Sequence, residues 1–83
     1  MENPMAVLIP LGLLPAGQHA EIGQLIGRRD EVHRLEELGL RTGSRIEMVQ
    51  RGSPCIVRVN GDHKLCFRNG EMLNVLVRPG DVP

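Results

Sequence analysis

The sequence has few aromatic residues, no net charge and no long apolar run. One phenylalanine, with no tryptophan or tyrosine, leaves no aromatic surface on which single-stranded nucleic acid stacks. Ten basic and ten acidic residues cancel, so no overall field attracts nucleic acid or an anionic membrane. The apolar stretch 5–14 is interrupted by Pro10 and Gly12 and is shorter than the roughly 20 residues of a membrane span. We therefore expect no nucleic-acid binding and no membrane insertion.

Motifs of catalysis are missing as well. The chain has no Gly-rich phosphate loop, no His-Glu-x-x-His and no Cys-x-x-Cys. Its 83 residues are expected to form a single domain, 1–83, with a core over about 11–78 and no room for a large substrate cleft. The start of the chain lacks the basic region of a signal peptide, since Glu2 is its only charged residue. We expect a cytoplasmic protein that is not an enzyme.

Short extended segments separated by turn residues predict a mainly β fold. The segment 20–26 reads as a strand with Ala20, Ile22 and Ile26 mostly on one face. About five short strands around one core favour a small closed barrel over a sandwich. The other predicted extended segments are 5–9, Arg45–Gln50, Cys55–Val59, 64–68 and 74–78, with a helical turn at 69–73.

A single short helix is predicted between the first main strand and the next one. Asp30 is a suitable N-cap for a helix over 31–38. Within it, Val32, Leu35 and Leu38 recur every three residues and form one apolar stripe. Leu38 is expected to be the last core anchor of this stripe.

Two glycines predict how the chain leaves the helix. Gly39 fits the position just after a helix, where a left-handed backbone is accessible to glycine, and Gly43 fits the next tight turn. Leu40 lies between them and is expected to carry an apolar side chain from the helix into the core.

The run Leu-Glu-Glu-Leu-Gly-Leu-Arg-Thr-Gly at 35–43 resembles the signature of the ferrous iron transport protein A (FeoA) family. Leu14, Gly17, Ile22, the Gly-Ser-Pro at 52–54 and the Phe-Arg at 67–68 extend the resemblance in matching order. The resemblance implies an SH3-like β-barrel with one inserted short α-helix. It also implies a non-catalytic accessory protein of bacterial ferrous iron transport that docks on the cytoplasmic portion of the membrane iron transporter FeoB.

The alternative is a metal-ion-binding regulatory or sensor domain. The expected fold also resembles the SH3-like domain at the end of iron-dependent repressors. Those repressors carry a helix-turn-helix domain as well, which these 83 residues do not contain.

Metal ligands are not assigned by the sequence. The histidines and cysteines are scattered and lack the close pairing of a structural zinc site. His33 with Glu36 and Glu37 offers at most a weak divalent metal site for iron or zinc, or one shared between two molecules of a homodimer. A solvated helix face is the favoured interpretation of these three residues.

The two cysteines can be placed by strand register. A two-residue turn at Asn60-Gly61 would set Cys55 opposite Cys66, whereas a three-residue loop, 60–62, pairs Cys55 with Phe67. Only the second register gathers Cys55, Phe67 and the neighbouring apolar residues on one face. We expect Cys55 to be buried, Cys66 exposed and both reduced.

The best candidate for a partner-binding surface lies at the end of the helix. Arg34 and Arg41 give a basic edge on a neutral protein, and Leu40 and Thr42 beside Arg41 would add a small apolar contact. The alternative is that these arginines only solvate the surface or pair with nearby glutamates.

Overall fold

Antiparallel β-strands dominate the fold. The computed structural model describes residues 7–52, 54–67 and 74–80. The strands are β1 (Ile9–Pro10), β2 (His19–Leu25), β3 (Arg45–Gln50), β4 (Cys55–Val59), β5 (His63–Phe67) and β6 (Val75–Pro79). In the same part of the chain, the α-helix α1 covers Arg29–Glu37 and a short 3-10 helix covers Leu11–Leu13.

All six strands join one sheet in the order β1-β6-β2-β3-β4-β5. This confirms the predicted mainly β fold with one inserted helix. The bounds of β3 and β4 are those predicted, and β2, β5 and β6 are each displaced by one residue. The sixth strand is the two-residue β1, which pairs with β6. Of the predicted extended segment 5–9 it contains only Ile9, and residues 7 and 8 belong to no strand. The predicted helical turn 69–73 and the first part of the segment 5–9 lie outside the described residues.

The core is built from one side of the alternating strands. Along β4, Cys55, Val57 and Val59 are buried while the residues between them are partly exposed. No polar or charged residue is buried in the described part of the chain. The buried residues are Leu11, Leu14, Ala20, Ile22, Leu35, Leu40, Ile46, Met48, Cys55, Val57, Val59, Phe67, Val75 and Val77.

A bulge in β2 corrects the prediction for Ile26. The pairing of β2 with β6 shifts register between Ile22 and Gln24, which places one extra residue in β2 at that point. The residues after the bulge therefore exchange the inner and outer faces of the sheet. As a result Leu25 packs against the core and Ile26 is exposed. Gly23 at the bulge lies against the Leu8 side chain, and a Cβ there would overlap it.

The β4–β5 hairpin has the predicted three-residue loop. Cys55 pairs with Phe67, and Val59 pairs with His63. Both cysteines are free; Cys55 is buried and Cys66 is exposed, as predicted. Burial raises the pKa of the Cys55 thiol above its usual range.

The helix begins two residues earlier than predicted, and Asp30 is not its N-cap. Arg28 occupies that position, and its backbone N–H donates to Glu31 Oε1 at 2.9 Å. Glu31 thus satisfies the backbone at the helix start, as the acidic member of a capping box does. Asp30 lies in the first turn, where its carboxylate still favours the positive end of the helix dipole.

Candidate docking surface at the helix end

The helix ends in a Schellman motif. The N–H of Gly39 donates to the carbonyl of Glu36 at 2.9 Å, and the N–H of Leu40 donates to the carbonyl of Leu35 at 3.1 Å. Gly39 has a φ of 102°, as predicted for the residue that follows the helix. Leu35 and Leu40 are both buried in the core. The chain therefore reverses direction at a fixed point.

The turn after Gly39 is held by one serine. The Ser44 backbone N–H donates to the carbonyl of Arg41 at 2.8 Å. Its hydroxyl donates to the Gly39 carbonyl at 3.3 Å and accepts from the Arg41 N–H at 3.2 Å. The N–H of Gly43 donates to the Ile22 carbonyl at 2.7 Å, which ties the turn to β2. Arg41 and its neighbours are therefore displayed on an ordered backbone.

The structure separates the four predicted partner-binding residues. Arg34, Arg41 and Thr42 are exposed. Leu40 is fully buried, with 0 % of its surface exposed, which confirms its predicted place in the core and shows that its predicted role as a surface contact is wrong. It belongs to the core because the Schellman motif directs it back against Leu35.

Leu38 takes the place of Leu40 on the surface. It was predicted as the last core anchor, but it is 41 % exposed. The reason is that Leu38 is the C-cap residue, where the helical path ends, so the spacing of three no longer carries its side chain to the buried face.

His63 adjoins the same place from the β4–β5 hairpin. Its Nε2 lies 3.4 Å from the carbonyl oxygen of Leu38, one of the carbonyls that the end of the helix leaves exposed. A Cβ on Gly39 would also touch this ring, at 3.4 Å from Nε2. Sequence reasoning missed His63 because only the hairpin register brings β5 to the helix. We call Arg34, Leu38, Arg41, Thr42 and His63 together the helix-end surface.

The order of these elements matches a known family. The FeoA domain model matches residues 9–79, which include every strand described above. The chain belongs to the FeoA domain family. The comparison with curated proteins gave no significant match.

Solved FeoA structures have the same fold. A FeoA from Stenotrophomonas maltophilia complexed with zinc, described as a prokaryotic SH3 domain protein, is 29% identical with a TM-score of 0.71. The match covers 87% of this chain and 89% of that one. An iron uptake regulatory protein, FeoA, is 23% identical with a TM-score of 0.80, over 88% of this chain and 99% of that chain. The FeoA fold of this chain is thus SH3-like.

A manganese-dependent transcriptional repressor in complex with manganese shares this fold. Its TM-score is 0.82 at 11% identity, and the match covers 92% of this chain but 38% of the repressor. At this identity the likeness concerns the fold alone, so it carries no metal ligands over to this FeoA chain.

Metal-binding side chains do not gather in the described part of the chain. His33 Nε2 lies 3.1 Å from Glu37 Oε2, one helical turn away on an exposed face. Within residues 7–52, 54–67 and 74–80, no group of three or more histidine, cysteine or acidic side chains is placed to hold an ion. Two ligands from one molecule leave a metal ion weakly held.

None of the helices described is long and apolar enough to cross a membrane. The exposed surface at the helix end is instead a mixture of cationic and apolar side chains on an ordered turn. Such a surface suits a protein–protein interface, in which arginine is enriched relative to the rest of the protein surface.

Proposed function

We propose that this protein is a non-catalytic, cytoplasmic accessory factor of bacterial ferrous iron transport that docks on the membrane iron transporter FeoB. The match of the FeoA domain model to residues 9–79 is the observation that carries this proposal. The related protein from Stenotrophomonas maltophilia has been put forward as a ferrous iron transport activating factor, which supports the same role here. We propose further that residues 1–83 act as one FeoA-like domain.

The helix-end surface is the proposed contact with the transporter. Arg34 and Arg41 supply positive charge, and the exposed part of Leu38 supplies apolar area between the helix and the turn. The hydrogen bonds of Ser44 hold this turn before any partner arrives. Little backbone entropy is therefore lost on binding, which favours a turn of this kind as a contact.

Charge reversal tests this surface. Arg41→Glu, alone or with Arg34→Glu, should leave the circular dichroism spectrum and unfolding midpoint unchanged, because both side chains are exposed. The variants should reduce capture by the purified soluble domain of FeoB, and the wild-type complex should weaken as salt is added. Iron uptake should fall in cells that depend on this protein. Arg51→Glu makes the same charge change at an exposed position outside the surface and should behave as wild type.

Normal capture and normal uptake by the folded double variant would rule out the helix-end surface. Failure of the wild-type protein to bind any part of FeoB would rule out the adaptor role itself.

Metal titration separates the adaptor from the sensor. Ferrous, manganous and zinc ions would be added to the protein in turn and followed by calorimetry. The adaptor role is supported by capture of the transporter without tight metal binding. Tight stoichiometric binding without capture would instead support the regulatory domain, and His33→Ala would then test the pair with Glu37. A doubling of the protein's molecular mass in solution when zinc is added would identify a metal-linked homodimer.

A further inference from the structure

A charged trough crosses the outer face of the sheet, away from the core. Two adjacent cavities, of about 340 and 300 Å³, are both lined by His19 and Arg45. Gly80 lines the first cavity and Asn60 lines the second. The two cavities therefore form one trough across the start of β2 and β3, which we call the Arg45 trough.

Two rows of charged residues cross this face. In the first row, the strand pairing sets Glu21 between Arg78 on β6 and Arg45 on β3. In the second row, Glu47 lies between His19 on β2 and Arg58 on β4.

Among the residues that the structure describes, Arg45 has no carboxylate partner. Glu21 Oε1 accepts from Arg78 at 3.2 Å, and Glu47 Oε1 accepts from Arg58 at 2.9 Å. Both glutamates near Arg45 are thus engaged elsewhere. No ion pair to Arg45 is formed by the residues that the structure describes.

The face is also more positive than the protein as a whole. Lys64 on β5 lies beside Arg58 and extends the second row. Counting only described residues, three arginines and this lysine face two glutamates, an excess of two positive charges on a chain whose net charge is zero. A local excess of this kind attracts an anionic group.

Both backbone polar groups of Arg45 are hydrogen-bonded to Asn60. Its N–H donates to Asn60 Oδ1 at 2.9 Å, and its carbonyl accepts from the Asn60 N–H at 2.7 Å. Asn60 has a φ of 52°, in the left-handed region, where asparagine is tolerated better than most residues. The guanidinium of Arg45 thus extends from a fixed point, so only its own rotamers are lost on binding.

We propose that the Arg45 trough binds an extended acidic segment of a protein partner, with a carboxylate of that segment on the Arg45 guanidinium. Arginine binds carboxylates through two parallel hydrogen bonds, which its planar fork matches. Most small-molecule sites are lined mainly by apolar side chains with few charged groups, whereas each cavity of this trough has two arginines and a glutamate in its lining. The trough shares no residue with the helix-end surface, although its lining residue Gly43 directly follows Thr42. The proposal does not depend on a role in iron transport.

The proposal is tested by titrating the isotope-labelled full chain with a short capped peptide of alternating glycine and glutamate. Binding is monitored by heteronuclear NMR. Amide shifts should be confined to residues around Gly43, Arg45, Asn60 and Gly80. Arg45→Gln should weaken peptide binding about tenfold. The affinity of Arg45→Lys should lie between those of the wild type and Arg45→Gln. Arg29→Gln, an exposed arginine on the helix, should bind as wild type.

Four outcomes would overturn the proposal. The first is that the matched glycine–glutamine peptide binds as tightly as the acidic peptide, and the second is that Arg45→Gln binds the acidic peptide as tightly as the wild type. The third is that Arg29→Gln loses as much affinity as Arg45→Gln. The fourth is that a single-stranded oligonucleotide binds more tightly than the acidic peptide. Because the probe contains no part of the transporter, these outcomes leave the proposed role in iron transport unaffected.

Discussion

Replacement of Leu40 by alanine should destabilise the protein far more than the same change at Leu38. Leu40 is fully buried and follows the helix in the Schellman motif. The change removes three carbons, worth about 0.8 kcal/mol each on burial, and leaves a cavity. The expected loss in the free energy of unfolding is therefore roughly 2–5 kcal/mol. A domain of this length has a total stability of roughly 4–12 kcal/mol, so the loss would be a large share.

Leu38→Ala is the matched control, because it removes the same atoms two residues away. Leu38 is 41 % exposed at the C-cap, so less apolar area is lost from the interior and no closed cavity forms. We expect a loss of at most about 1 kcal/mol.

Urea unfolding of both variants, followed by circular dichroism, measures the difference. The urea concentration at the unfolding midpoint should fall strongly for Leu40→Ala and slightly for Leu38→Ala. The slope of the unfolding free energy against urea concentration should stay unchanged. Equal losses in the two variants, or a larger loss for Leu38→Ala, would refute the assignment of Leu40 to the core and Leu38 to the surface.

Two further predictions concern the helix end and the cysteines. Gly39→Ala should cost about 1 kcal/mol or more, since alanine is strained at a φ of 102°, and adding His63→Ala should not restore the stability. A neutral Gly39→Ala in the urea experiment would contradict this. A thiol reagent should label Cys66 quickly and Cys55 only on unfolding, because burial shields Cys55 and raises the pKa of its thiol. Mass spectrometry would detect equal labelling of both, which would contradict the register.

Stretches governed by local chemistry could be predicted from the sequence. Gly39 was recognised because a positive φ just after a helix favours glycine over other residues. The β4–β5 register followed from one requirement, that Cys55, Val57, Val59, Leu65 and Phe67 share a face. Both depend on residues close together in the chain.

The candidate site was predicted only in part. The helix end was identified by its charges, and Arg34, Arg41 and Thr42 remain predicted contacts. Leu38 was wrongly placed in the core because helical spacing was extended to the C-cap, where the helix stops. Leu40 was rightly expected in the core, and only its additional role as a surface contact is wrong. His63 was missed because it is 25 residues from the Leu38 carbonyl that it approaches.

The sequence by itself determined the strands, the helix, the turns and the resemblance to FeoA, since periodicity and glycine conformation act over a few residues. Only the tertiary structure decided which side chains meet across strands. The bulge at Gly23 moved Ile26 to the surface. The pairing of β6, β2 and β3 set Glu21 against Arg78, so that no carboxylate in the described part of the chain pairs with Arg45. These outcomes depend on strand order and on distances between residues remote in sequence, which local propensity does not encode.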